Sequence, residues 1–162
     1  MKIAILMGSK SDYPTVQKAE DILKEFDVEA EVRVISAHRT PNVAADFAEK
    51  AEARGIEVII AAAGKAAHLA GVLAAATPLP VIGLPMKSST MDGLDSLLSV
   101  VQMPKGVPVA TVAIDGAENA ALLAVQILSV KYPPLRDAFK AYKAKMERDI
   151  IAVDEEFQQN RE

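Results

Sequence analysis

The chain has 162 residues, enough for one domain with a full core. Its net charge of −4 and its 4% aromatic content, with no Trp, argue against a nucleic-acid binder, which needs a basic patch or stacking platforms. The absence of Cys excludes disulfides, thiolate catalysis and Cys-ligated metals.

Apolar runs and helical patterns alternate along the chain. Ile3 to Met7 reads as a short buried strand that ends at Gly8, too short for a signal peptide or a membrane span. Val16, Ala19, Ile22, Leu23 and Phe26 recur at helical spacing, with Pro14 near the helix start. Val32 to Ile35 is a second strand, and Thr40-Pro41 looks like an N-cap and first position of the helix that follows. Val58 to Ala63 is a third strand, followed by an alanine-rich helix over 66–76. Val81 to Leu84 is a fourth strand, followed by a helix over 92–101 whose Leu94, Leu97, Leu98 and Val101 share one side and read as core. Asp92, Ser89 and Thr90 are its candidate caps. A fifth strand at 109–112 and a helix at 117–128 complete the pattern.

Strands alternating with crossover helices predict a parallel sheet covered on both faces, a three-layer α/β/α sandwich. A single domain is expected, with an α/β core over 1–130 and a helical extension over 131–162. In that extension Leu135, Phe139, Tyr142, Met146, Ile150, Val153 and Phe157 form one sustained stripe. The stripe is longer than the core's own surface can cover, so it is expected to reach a neighbouring subunit. The alternative is that it folds back over its own domain.

Ligands of wound parallel sheets bind beyond the carboxyl ends of the strands. After the first strand, Gly8-Ser9-Lys10-Ser11-Asp12 offers hydroxyls and a helix N-terminus to an anion, with Asp12 either binding ribose hydroxyls or capping the helix. After the second, Ser36-Ala37-His38-Arg39-Thr40-Pro41 pairs an arginine suited to phosphate with a histidine suited to proton transfer. After the third, Gly64 lets backbone approach a ligand, and His68 is either a substrate contact or a structural residue of the first helical turn. Gln102 to Gly106 is a weaker candidate for lining a pocket. Two histidines offer poor prospects for a transition metal, and no nucleophile elbow is present. General acid–base chemistry on an anionic metabolite is the expectation.

Five motifs in order, GSKSD, SAHRTP, AAHL, PVIG and GLDSLLSVVQMPKGVPVATVAI, resemble the class I N5-carboxyaminoimidazole ribonucleotide mutases of purine biosynthesis. The resemblance runs from Met7 to about Leu128. It implies a flavodoxin-like fold, a cytoplasmic homo-octamer, a ribonucleotide substrate, and no metal or organic cofactor. It makes His38 the catalytic residue and Ser9, Asp12 and Arg39 substrate-binding, with Ser11 and Ser36 helping to hold the phosphate. Gly64, Lys65, His68 and Leu69 would complete the substrate site. Lys65 and Ala70 stand where the family usually has Gly and Pro, so Lys65 is strained if that position uses a positive φ. The family's direct carboxylases usually carry a Ser-Asn pair where this chain has Ala66-Ala67-His68.

Overall fold

A computed structural model of the chain describes residues 1–161. Five parallel strands form one sheet: β1 (Lys2–Met7), β2 (Glu29–Val34), β3 (Val58–Ala63), β4 (Val81–Pro85) and β5 (Ala110–Thr111). Their order, β2-β1-β3-β4-β5, is the flavodoxin-like one, and the strand order reverses between β1 and β3 while all strands stay parallel. The helices are α1 (Tyr13–Glu25), α2 (Pro41–Lys50), α3 (Leu69–Ala76), α4 (Leu94–Val101), α5 (Ala117–Ser129) and α6 (Pro133–Gln159).

Period-two geometry divides the core between the faces. Ile3, Ile5, Val58, Ile60, Ile82 and Leu84 point toward α1 and α5, while Ala4, Leu6, Ile59 and Ala61 point toward α2 and α3. Continuous apolar runs at β1, β3 and β4 therefore mark strands buried on both sides. Gly83 in β4 lets α4 approach the sheet, because Val100 and Val109 occupy the space a Cβ would need.

Several elements differ from expectation. β2 starts at Glu29 rather than Val32, because its exposed edge is charged: Glu29 and Glu31 pair with Lys2, and Glu31 also takes Arg54. α3 starts at Leu69 rather than Ala66. Lys65 adopts φ 55°, and Ala67 and His68 each donate a backbone N–H two residues back, which makes a tight turn rather than a helical one. α4 starts at Leu94, and its N-cap is Gly93 at φ 99°, without a side-chain cap. Ser88 instead organises this entry: its hydroxyl donates to Asp95 at 2.7 Å and accepts from the N–H groups of Thr90 and Met91.

The apolar side of α4 is not core. Leu94, Leu98 and Val101 are 46–47% exposed, and Ser96 and Val100 face inward instead. Close approach to the sheet favours small residues there, so the large ones turn outward.

The stripe on α6 divides in two. Leu135, Phe139 and Tyr142 pack on the core, with Phe26 meeting both aromatic rings. Met146, Ile150, Val153 and Phe157 lie at least half exposed. Glu57 anchors the base of α6, accepting from Lys131 Nζ at 2.8 Å and Tyr132 OH at 2.9 Å. Burial pushes the Glu57 carboxyl up, but these two partners outweigh it and hold it below its ordinary value. Glu162, the last residue of the expected extension, lies outside the described residues. Among the described residues no helix is long and apolar enough to cross a membrane.

Candidate active site

The loops after β1, β2 and β3 meet at the point where the strand order reverses. They form an open cavity of about 330 Å³ lined by Gly8, Ser9, Ser36, Ala37, His38, Arg39, Ala63, Gly64, Ala66, His68 and Leu69. The parallel register of β1, β2 and β3 brings their carboxyl ends level, so residues 30 positions apart become neighbours. His38 Nε2 and His68 Nδ1 lie 2.8 Å apart, with their rings edge to face at 4.9 Å. His68 thus faces the cavity with its ring against that of His38. Although it is the N-cap residue of α3, its side chain makes no cap bond.

Arg39 ties two loops together. Its guanidinium donates from Nη2 to the Gly8 carbonyl at 2.9 Å and from Nε to Ser36 Oγ at 3.4 Å. Its backbone N–H donates to the same Ser36 hydroxyl at 3.2 Å. The side chain remains exposed, with guanidinium donors left for an incoming anion. Thr40 is the N-cap residue of α2, but its hydroxyl does not cap the helix. It donates to Ser36 O at 2.8 Å and accepts from Ser36 N–H at 3.1 Å, closing the loop on itself.

In the first loop, Ser11 Oγ donates to Ser9 Oγ at 2.8 Å, and Ser9 also caps the short 3-10 turn Lys10–Asp12. Asp12 precedes α1 without capping it. Its half-buried carboxyl is pushed up by burial, against the pull of hydrogen bonds from Ser11 and Ser9, and the charge of Asp115 adds to the rise. A carboxylate not spent on capping is available to ribose hydroxyls.

The structure therefore gathers Ser9, Ser36, His38, Arg39, Gly64, His68 and Leu69 around one cavity, with Ser11 and Asp12 beside it. Lys65 is exposed and does not line the wall. Neither does the segment 102–106, whose Met103 packs over Gly71 on α3. The sequence reading did not single out Ala63, which lines the cavity as the last residue of β3, nor Asp115. Position at a strand end was the signal available for Ala63. Asp115 carried none, because its bonds to Pro85 O and Lys87 N–H join segments distant in the chain.

Fold and cavity together define a flavodoxin-like α/β protein whose switch-point pocket carries an arginine, hydroxyls and two imidazoles. The family model described as AIR carboxylase matches residues 2–149, and the chain belongs to that family. It is 60% identical over 147 residues to the N5-carboxyaminoimidazole ribonucleotide mutase of Pyrococcus abyssi, covering 91% of this chain and 84% of that protein. It is 56% identical over 152 residues to the mutase of the same name from Saccharolobus solfataricus, covering 94% and 96%. The crystal structure of Treponema denticola PurE superimposes with a TM-score of 0.87 at 31% identity, covering 96% of this chain and 97% of that one.

Proposed function

We propose that this protein converts N5-carboxyaminoimidazole ribonucleotide to 4-carboxyaminoimidazole ribonucleotide in purine biosynthesis. The observation that carries the reading is the His38–His68 pair in a small cavity, beside an arginine and a hydroxyl-rich helix N-terminus. Relatives at 56–60% identity bear the name of this mutase.

Arg39, Ser36, Ser9 and Ser11 hold the phosphate, and Asp12 takes the ribose hydroxyls. The imidazole end of the substrate enters the cavity beside His38, with Gly64, His68 and Leu69 against it. His38 in its imidazolium form protonates the carbamate nitrogen as the N–CO2 bond breaks. The freed aminoimidazole is an enamine, and its ring carbon attacks the trapped CO2. His38, now neutral, removes the proton from that carbon and restores the aromatic ring. The proton given to nitrogen is recovered from carbon, so the cycle closes without a co-reactant. Holding CO2 in place between the two steps requires that bound substrate exclude water from the cavity.

The protein works in the cytoplasm as a homo-oligomer, an octamer in this reading. The exposed apolar side of α4 and the outer half of α6 are the surfaces that neighbouring copies cover. Lys65 acts from outside the cavity wall, at the rim of the substrate site.

Turnover of purified protein on N5-carboxyaminoimidazole ribonucleotide, with bicarbonate removed, tests the activity. Product without added bicarbonate is expected. Turnover only of aminoimidazole ribonucleotide plus CO2 would replace this reading with direct carboxylation. Sedimentation tests the assembly, and a stable 17.3 kDa species would remove it.

A further inference from the structure

Asp115 has no role in the reaction above, yet it occupies a specialised backbone conformation. Its φ is 55°, in the left-handed region, which Asp and Asn enter more readily than other residues with a Cβ. Such outliers persist only where surrounding bonds hold them, and they concentrate near functional sites.

Three bonds hold this one. The Asp115 N–H donates to Pro85 O at 2.9 Å, and the Asp115 carboxylate accepts from Lys87 N–H at 2.8 Å. The Asp115 carbonyl accepts from Ala117 N–H at 2.8 Å as α5 begins. One residue thereby grips the backbone on both sides of Met86. Met86 is buried, and its N–H donates to Ala63 O at 2.9 Å. Its Cβ lies 3.6 Å from where a Cβ on Gly64 would stand, which is ordinary van der Waals contact distance. Gly64 lines the cavity and opens the tight turn that ends at His68.

The geometry points to Asp115 as a positioning residue: it fixes Met86, whose N–H bond to Ala63 O holds the end of β3 where Gly64 begins the third loop, and so sets the spacing of His68 from His38. The inference rests on reading the cavity as the active site. The Asp115 carboxylate touches none of the cavity wall; it acts on the histidine pair through residues 85–87, apart from its charge, which reaches Asp12.

Two variants separate this role from simple support of α5. Asp115→Asn keeps a hydrogen-bond acceptor and tolerates the left-handed backbone. Asp115→Gly keeps the backbone conformation and removes the acceptor. Because the chain has two histidines, ring-nitrogen NMR resolves the pair directly. At one fixed pH, wild type and Asp115→Asn are expected to show the same ring signals, with each histidine in one fixed tautomer. Asp115→Gly should shift those signals toward tautomeric averages and lower kcat about tenfold, with KM changed less than twofold. An unaltered ring spectrum in Asp115→Gly, with only a lower Tm, would overturn the inference. The ring spectrum decides the matter even if wild type fails to turn over the ribonucleotide, a result that would count against the activity instead.

Discussion

His38 Nε2 faces His68 Nδ1 at 2.8 Å, and a contact that short holds one proton between two nitrogens. When His38 carries the proton at Nε2, His68 must accept, and the His68 tautomer is fixed with its proton at Nε2. In the proposed mechanism the pair is the unit that delivers and recovers a proton, with His38 in the second loop as carrier and His68 as its orienting partner.

Replacing either histidine should separate these roles. His38→Asn removes the proton carrier, and kcat should fall by about 10²–10⁴-fold while the ribonucleotide still binds. His68→Phe removes the orienting bond, worth about 1–1.5 kcal/mol, together with an imidazole that lines the cavity, so kcat should fall at least roughly tenfold. Steady-state kinetics with calorimetric binding checks both. Near-normal turnover of folded His38→Asn would reassign the proton carrier.

Arg39 spans Gly8 O and Ser36 Oγ with a planar fork that lysine cannot reproduce. Arg39→Lys should raise KM at least about tenfold, the cost of one charge-assisted bond, while Tm falls little because the side chain is exposed. Equal KM values would show that the guanidinium does not hold the phosphate.

Lys65 at φ 55° carries a backbone cost that glycine does not. Lys65→Gly should stabilise the folded chain by up to about 1 kcal/mol after glycine's own entropy loss, raising Tm by roughly 2–4 °C. Lys65→Val should lower Tm, since a β-branched residue fits this region worst. Thermal unfolding of both variants reads the sign directly, and a lower Tm for Lys65→Gly would show that the lysine side chain contributes more than its backbone costs.

Asp12 gives a pH-dependent outcome. Its folded pKa is raised by burial above the ordinary 3.8, so the folded state binds this proton more tightly than the unfolded chain does. The resulting stability is complete below pH 3.8 and is lost as pH rises through the folded value. At neutral pH the charged carboxylate therefore costs stability that Asp12→Asn avoids. The variant should show a higher Tm than wild type at pH 7, with the gain vanishing toward pH 3. It should also bind ribonucleotide more weakly, because an amide is a poorer acceptor for ribose hydroxyls. A pH-independent Tm difference would exclude titration of Asp12 as its source.

The order of elements, the doubly buried strands β1, β3 and β4, and the loops that carry Ser9, His38, Arg39 and His68 were all readable from the chain itself. Buried parallel strands require unbroken apolar runs, and strand ends require residues that can turn and meet ligands, so these features are local. The direction each amphipathic face takes is not local. Leu94, Leu98 and Val101 have the spacing of a core face, yet Gly83 admits α4 so closely that only Ser96 and Val100 fit inward. The α6 stripe is continuous in sequence, but only its first half finds Phe26 and α5 to pack on. Likewise, the sequence could place His38 and His68 on neighbouring loops, while their 2.8 Å contact depended on sheet register and on the left-handed turn at Lys65. Periodicity specifies that a face is apolar and that a loop is reactive. What that face touches, and which loop another loop meets, is decided by long-range packing, because those neighbours are distant in the chain.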